Sequence, residues 1–227
     1  MEIFMVDLQT KKYRYERKYI IDRIYGYKFL SELHKKNFKK RYNDRHVNNI
    51  YLDNSNFNSI SENFDGLSNR KKTRIRWYGE KFVKNDKFLE FKIKNEFLNT
   101  KKIYNLSNSQ LNSLLEINDF YTSQLKFARH GNSNIYKQIT GLEPKLFNCY
   151  LRSYFTNMDE DIRITIDKNI FYYSPVTKMS HRESKLVIEV KYEKEMRFIN
   201  NFNYLNYTRY SKYVKGCVQT SYFSPNY

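Results

Sequence analysis

The 227-residue sequence predicts an α+β protein, in which a mostly antiparallel sheet closes into a barrel and helices cover its outer face. Ionic residues recur at positions i and i+2 with apolar residues between them. Because the side chains of a strand point alternately to its two faces, several segments have one charged and one apolar face. Between these segments, apolar residues recur at helical spacing and predict helices.

The clearest alternation lies in two consecutive strands. Arg74 and Arg76 share one face of the first strand, and Glu90, Lys92 and Lys94 share one face of the second. For a single hairpin, a charged face in water is the simpler interpretation. The same pattern returns in residues 14–18, 163–167 and 189–193. This recurrence favours a charged face turned inward, and because buried unpaired charge is costly, such a lumen indicates a polyanionic ligand.

The first half of the chain predicts four strands and one helix. Residues 13–21 form the first strand, and residues 25–40 follow as an outer helix because their apolar residues lie near helical spacing. Residues 47–54 predict a short strand that ends in turn residues. Residues 71–78 and 87–94 are the two central strands, joined by a polar loop.

The second half of the chain predicts helices, then strands, then helices again. Two short helices are predicted over residues 111–117, capped by Ser107 or Ser109, and over residues 133–140. The predicted strands are residues 144–155, 162–170 and 183–193. The C-terminal helical pieces are residues 195–207 and 209–217.

The net charge of +17, from 41 Lys and Arg against 24 Asp and Glu, indicates a negatively charged partner. A strongly A+T-biased genome would produce the same abundance of Asn, Lys, Ile and Tyr, so charge alone does not indicate nucleic-acid binding. With only 3 Pro and 6 Gly and no low-complexity run, the sequence predicts one domain over residues 1–227, of which residues 1–12 are an N-terminal tail.

The remaining composition argues against several kinds of site. Cys149 and Cys217 lack CxxC spacing, which is typical of structural thiols in a reduced compartment. The four His residues have no metal-ligand spacing, so a soft-metal site is not expected. No apolar run approaches the ~18 residues of a membrane span. We therefore expect a soluble, cytoplasmic protein.

The charged segments, taken in order, resemble the VTC domain, the polyphosphate polymerase branch of the CYTH-like triphosphate tunnel metalloenzymes. The matching segments are residues 16–19, 74–79, 90–92, 150–152, 162–167, 189–191 and 211–213. They follow the order of the family and span roughly residues 13 to 216. Each motif alone is weak, and the ordered set is fairly specific.

The resemblance implies a closed, eight-stranded antiparallel tunnel whose basic lining binds a triphosphate. The implied phosphate-binding and catalytic residues are Lys18, Arg74, Arg76, Lys92, Tyr150, Arg152, Arg163, Lys191 and Lys212. It also implies that Glu189 holds Mn²⁺ or Mg²⁺ and that Glu16, Glu90 and Ser211 are supporting residues of the site. Elementary chemistry agrees, since Arg and Lys bind phosphate oxygens and a hard divalent ion takes carboxylate and phosphate oxygens together.

The family resemblance implies a metal-dependent phosphotransferase that passes the γ-phosphate of ATP to a growing polyphosphate chain. Triphosphate-hydrolysing tunnel enzymes usually begin with Glu-x-Glu-x-Lys, whereas this chain has Arg14 before Glu16 and Lys18. One carboxylate fewer leaves less capacity for a second metal ion that activates water, which modestly favours transfer over hydrolysis. The alternatives are a triphosphate or tripolyphosphate hydrolase and a non-catalytic polyphosphate-binding module.

A nucleic-acid surface is the remaining alternative, because 22 Tyr and 17 Phe could supply stacking platforms. Carboxylates interleaved with the cations disfavour it, because they repel a phosphate backbone that binds at the surface. The sequence leaves open the acceptor, the oligomeric state and whether a membrane protein receives the product.

Overall fold

The computed structural model describes residues 15–96, 98–192, 202 and 205–220. These residues form one nine-stranded antiparallel sheet and five α-helices. The strands are β1 (Tyr15–Ile21), β2 (Lys39–Asp53), β3 (Arg70–Tyr78), β4 (Phe88–Asn95), β5 (Leu98–Asn105), β6 (Glu143–Thr156), β7 (Ile162–Tyr173), β8 (Ser180–Arg182) and β9 (Leu186–Tyr192). Their order is β1-β9-β7-β6-β2-β3-β4-β5, with β8 paired to β7.

Four of the five α-helices lie in connections between strands, and the fifth follows the last strand. The helices are α1 (Ile24–Lys35), α2 (Asn58–Phe64), α3 (Ile117–Gly131), α4 (Ser133–Ile139) and α5 (Lys212–Gln219). Asn132 caps α4 because its side chain accepts hydrogen bonds from the backbone N–H groups of Asn134 and Ile135. Ser211 caps α5 in the same way through Val214.

Helices α1, α3 and α4 cover the apolar, outer face of the sheet. Trp77 and Phe147 from the strands pack with Phe120 of α3, and α4 adds Ile135 to the same core. At the other end of the sheet, Phe29 and other apolar residues of α1 pack on β1, β7 and β9. Burial of this apolar area is the main force that holds helices and sheet together.

The opposite, inner face of the sheet has an apolar part and a charged part. Helix α5 covers the apolar part, where Tyr213 stacks on Tyr51 with ring centroids 4.9 Å apart. At Gly216 an added Cβ would lie 2.6 Å from Tyr172 Cδ1, so only Gly permits this approach of α5 to the strands. The charged part of the inner face extends from this contact.

The sheet is not closed, so the closed eight-stranded barrel predicted from the sequence is not confirmed. Among the described residues, β1 and β5 are the ends of the strand order and do not pair with each other. The outer edge of β1 is used instead by the C-terminal segment. Thr208 donates its backbone N–H to the carbonyl of Lys18 at 3.0 Å, and Tyr207 forms an isolated bridge with Tyr19.

Several predicted elements need correction. β2 begins at Lys39, inside the predicted helix over residues 25–40, and α1 ends at Lys35. The predicted helix over residues 111–117 is wrong, because α3 begins where it was expected to end. The sequence did not predict α2, β5 or β8, and the last clear strand begins at Leu186 rather than at 183.

The C-terminal prediction can be compared only in part. The helix predicted over residues 195–207 lies largely outside the described residues, and the described residues Phe202 and 205–207 are not helical. The second predicted piece, residues 209–217, corresponds to α5, which is shifted by a few residues along the chain. None of the helices in the described part of the chain has the length and apolar character needed to cross a membrane.

Candidate phosphate-binding site on the inner face

The charged part of the inner face is built by strand alternation and antiparallel register. In the pairing of β1 with β9, Glu16 lies opposite Lys191 and Lys18 lies opposite Glu189. In the pairing of β3 with β4, Arg74 lies opposite Glu90. Opposite charges on directly facing residues stabilise each pair. The ionic residues that alternate in the sequence therefore meet on one side of the sheet.

A first group of ion pairs, the Glu16–Glu189 cluster, joins these two carboxylates to Lys18, Lys191 and Lys92. Lys18 Nζ lies 3.0 Å from Glu16 Oε1, and Lys191 Nζ lies 2.8 Å from Glu189 Oε1. Lys92 Nζ of β4 lies 3.7 Å from Glu16 Oε2 of β1. The sheet therefore curls far enough for β1 and β4 to face each other across the interior.

Both carboxylates of this cluster are ionised. Burial and their mutual repulsion act to raise the pKa of Glu16, but the surrounding ammonium groups outweigh both and lower it to about 2. Burial also opposes ionisation of Glu189, and Lys191 and Lys18 hold its pKa well below its ordinary value.

A second group, the Glu90 cluster, gathers three cations around one buried carboxylate. Arg74 Nη2 lies 2.6 Å from Glu90 Oε2, Lys101 Nζ lies 2.7 Å from Oε1, and Arg76 Nη1 lies 3.9 Å from Oε2. Burial would raise the pKa of Glu90, but Arg74, Arg76 and Lys101 lower it to about 2. Asn49 fixes Arg76 by accepting a hydrogen bond from Nε at 2.8 Å.

A third group, the Asp167 cluster, joins β6, β7 and α5. Asp167 accepts two hydrogen bonds from Arg152 and lies 2.5 Å from Lys212 Nζ. Tyr150 connects this cluster to the Glu90 cluster, because its hydroxyl accepts a hydrogen bond from Arg76 Nη2 at 3.3 Å and its ring lies under Lys212. Burial acts to raise the pKa of Tyr150, but Arg152 and Arg76 outweigh it, and the pKa lies below its ordinary value.

A cleft of about 300 Å³ opens beside these clusters. It is lined by Arg41, Tyr42, Arg152, Tyr154, Phe155, Arg163, Ile164, Thr165, Glu189 and Lys191. Within the described part of the chain, three buried polar atoms of this lining have no hydrogen-bond partner: Nη1 of Arg41, Nε of Arg163 and Oγ1 of Thr165. Arg41 Nη1 still lies 2.8 Å from a carboxylate oxygen of Glu160, so only the atoms of Arg163 and Thr165 lack any partner there. Buried donors without partners are costly, and a phosphate oxygen in the cleft would accept from them.

The structure thus brings all the predicted site residues to the inner face. Lys18, Lys92 and Lys191 belong to the Glu16–Glu189 cluster, and Arg74 and Arg76 belong to the Glu90 cluster. The remaining predicted phosphate-binding residues belong to the Asp167 cluster or lie beside it: Arg152, Lys212, Tyr150 and Arg163. Ser211 is both the cap of α5 and the acceptor of a hydrogen bond from Lys72 Nζ at 2.9 Å. Arg14 lies outside the described residues.

Sequence reasoning missed several charged residues of this face, among them Lys101, Lys72 and Asp167, as well as Arg41 in the cleft lining. Lys101 lies in β5, which the sequence did not predict, and Lys72 lies two residues before Arg74, so the alternation alone could have indicated it. Asp167 ended a recognised motif, but its function as the partner of Arg152 and Lys212 depends on which strands become neighbours.

A divalent metal ion fits this face only together with a phosphate ligand. Among residues 15–96, 98–192, 202 and 205–220, no group of three or more His, Cys, Asp or Glu side chains is placed to hold a metal ion. Magnesium in phosphate sites is commonly held by one or two carboxylates together with phosphate oxygens and water. Glu16 and Glu189 are ionised and share Lys18 and Lys191 as neighbours, so they supply such a pair.

A comparison with solved structures found proteins of low sequence identity over most of the chain. A protein of Hippeastrum, described as an adenylyl cyclase candidate with a dominant triphosphatase activity, has a TM-score of 0.51 and 11% identity, covering 92% of this chain and 97% of that one. An adenylate cyclase candidate of Vibrio parahaemolyticus has a TM-score of 0.46 and 11% identity, covering 89% and 96%. An inorganic triphosphatase has a TM-score of 0.34 and 10% identity, covering 94% and 97%.

A comparison with curated proteins found no match in sequence. The sequence profile of the VTC domain matches residues 13–221, which is nearly the whole chain. This range contains every cluster described above. The resemblance that the ordered charged motifs indicated is therefore confirmed, and the chain belongs to the VTC domain family.

Proposed function

We propose that this protein is a polyphosphate polymerase that transfers the γ-phosphate of ATP to the end of a phosphate chain bound on the inner face. The observation that carries the proposal is the excess of cations over carboxylates there, together with Arg163 Nε and Thr165 Oγ1 in the cleft, which have no hydrogen-bond partner among the described residues. Paired charges position the side chains, and the unpaired ones leave capacity for a polyanion.

In the proposed reaction a terminal phosphate oxygen of the acceptor attacks the γ-phosphorus in line, a new P–O–P bond forms, and ADP leaves with the electrons of the broken bond. The acceptor oxygen is already anionic, so the reaction requires no general base. Catalysis then consists of positioning and charge neutralisation by the arginines and lysines. Arg74, Arg76 and Lys92 would hold the triphosphate.

Glu189, supported by Glu16, would hold a divalent ion, either Mn²⁺ or Mg²⁺. When bound, such an ion neutralises charge that develops on phosphate oxygens. Lys18 and Lys191 would then exchange their carboxylate contacts for contacts with phosphate. Glu90 and Ser211 would act in support by positioning the cations beside them.

Hydrolysis of a triphosphate is the second candidate, favoured by the triphosphatase activity described for the Hippeastrum protein. The arginine in place of the first carboxylate, Arg14, argues for transfer. A binding module without catalysis would keep the same charged face.

We also propose a cytoplasmic location, because the described cysteines, Cys149 and Cys217, are free thiols.

The test is incubation of purified protein with ATP and Mn²⁺ or Mg²⁺, with and without added polyphosphate. Stained gels report chain length, and a phosphate assay reports orthophosphate. Longer chains together with ADP support the polymerase, orthophosphate release without longer chains supports the hydrolase, and tight binding without turnover supports the binding module. The Glu189→Gln variant should lose at least about a hundredfold in rate, whereas Glu116→Gln, an exposed carboxylate at the start of α3, should match the wild type.

A further inference from the structure

Lys72 differs from its neighbours on the inner face because its amine donates hydrogen bonds to neutral side chains and not to a carboxylate. Its Nζ donates to Asn63 Oδ1 of α2 at 2.6 Å and to Ser211 Oγ, the cap of α5, at 2.9 Å. Among the described residues it forms no ion pair, whereas Arg74, two residues further along the strand, pairs with Glu90 at 2.6 Å. Within the described part of the chain, Lys72 is therefore an amine without a counter-charge in direct contact.

The charged groups that face Lys72 are mostly positive. Lys92 lies directly opposite it in the register of β3 with β4, and Lys18 of β1 acts on it across the interior. Arg70 and Arg74 flank it on its own strand. The neighbouring helices add Lys212 of α5, which is paired with Asp167, and Glu62 of α2, whose carboxylate accepts a hydrogen bond from the backbone N–H of Lys71.

Burial and the positive charges around Lys72 lower its pKa to about 7. Burial is the larger cause, and the charges of Lys18 and Lys92 add to it. Near neutral pH the free protein therefore holds Lys72 partly deprotonated. A polyanion bound by its neighbours would reverse the sign of the surrounding field.

We infer that Lys72 is a further phosphate-binding residue, which binds a phosphate oxygen at the Ser211 end of the charged face and takes up a proton when that phosphate arrives. This inference rests on the proposed function, because it requires a phosphate chain on the inner face. It adds a ligand that the family motifs did not indicate. It also links binding to pH, since the protonated amine is the form that binds an anion.

The test is calorimetric titration of the whole protein with inorganic tripolyphosphate at pH 8, in buffers of different ionisation enthalpy, which reports proton uptake. Four proteins are compared: wild type, Lys72→Met, Lys72→Arg and Lys71→Met. Lys71 is the matched control, because its ammonium lies over the ring of Phe91 on the outer face at 4.3 Å. Unfolding curves without ligand check that each variant folds.

Wild type and Lys71→Met should take up between about half a proton and one proton more per bound tripolyphosphate than either Lys72 variant. Lys72→Met should bind about tenfold more weakly at pH 6.5, whereas Lys72→Arg should keep its affinity but show no extra proton uptake. Equal proton uptake and equal affinity in wild type and both Lys72 variants would overturn the inference and leave the proposed function standing. If wild type itself binds no tripolyphosphate, the proposed function fails, and the inference fails with it. Should Lys72→Met not fold, the proton uptake of Lys72→Arg decides.

Discussion

Arg152 and Asp167 lie opposite each other on β6 and β7 and form a two-point ion pair, with Nε 2.6 Å from Oδ1 and Nη2 2.7 Å from Oδ2. Asp167 is fully buried. This geometry fixes the plane of the Arg152 guanidinium before any ligand binds. Burial opposes ionisation of Asp167, but Arg152 and Lys212 keep its pKa below its ordinary value.

Replacing this carboxylate should therefore weaken the folded protein. Asp167→Asn leaves Arg152 and Lys212 without a counter-charge, and we expect a loss of about 3 kcal/mol in the free energy of unfolding. Tripolyphosphate should restore part of that loss and raise the unfolding midpoint more than in wild type. Urea unfolding with and without the ligand measures both effects, and an unchanged midpoint without ligand would contradict the structural importance of the pair.

Replacing Arg163 should leave the stability of the protein nearly unchanged and weaken its binding of tripolyphosphate. Because its buried Nε has no partner in the described structure, Arg163→Met should change the free energy of unfolding by less than about 0.5 kcal/mol. Tripolyphosphate binding should weaken by about 2 kcal/mol, or about thirtyfold in Kd. Arg152→Met is the matched comparison and should lose stability as well, since it removes the two-point partner of buried Asp167 and leaves only Lys212 beside that carboxylate. An Arg163 variant that binds as tightly as wild type would remove Arg163 from the site.

The stability of the protein should fall at acid pH. The folded-state pKa of Glu16 and of Glu90 is about 2, below the ordinary 4.5, so the unfolded chain binds more protons as the pH drops. The stabilisation is complete above about pH 4.5 and is lost as the pH falls towards 2. For Glu90 it amounts to about 3 kcal/mol.

Urea unfolding at a series of pH values between 5 and 2 measures this slope. Glu90→Gln should be less stable at pH 5 and should lose less on acidification than wild type does. Glu116→Gln, at an exposed site, should follow the wild-type curve. Parallel curves for wild type and Glu90→Gln would mean that Glu90 does not stabilise the fold through its charge.

The contact of α5 with the inner face should be sensitive to one methyl group. Gly216→Ala places its Cβ against Leu146 and Tyr172, and overpacking of this kind costs about 2 kcal/mol. Alanine is otherwise the better helix former by about 1 kcal/mol. A thermal or urea midpoint above that of wild type would therefore show that α5 does not pack as described, and Lys215→Ala on the same helix provides the comparison.

Local patterns were enough to predict which residues share a face. Strand alternation is a property of the extended backbone, so Arg74 and Arg76, or Glu189 and Lys191, lie on one side wherever the strand is placed. The strong apolar periods in the first helix and the central strands were recognised for the same reason. Segments with a weak or polar pattern were not recognised. In β5, Lys101 and Lys102 interrupt the usual alternation of polar and apolar residues, and α2 is only seven residues long.

Residue identities and their spacing already indicated the family, the charged face and nearly all of its cations. Folding alone established which carboxylate neutralises which cation, because a cross-strand partner depends on the order and register of strands far apart in the chain. Glu16 meets Lys92 only because the sheet curls. In the described part of the chain Lys72 contacts no carboxylate, because the tertiary structure places Asn63 of α2 and Ser211 at the start of α5 beside its amine instead.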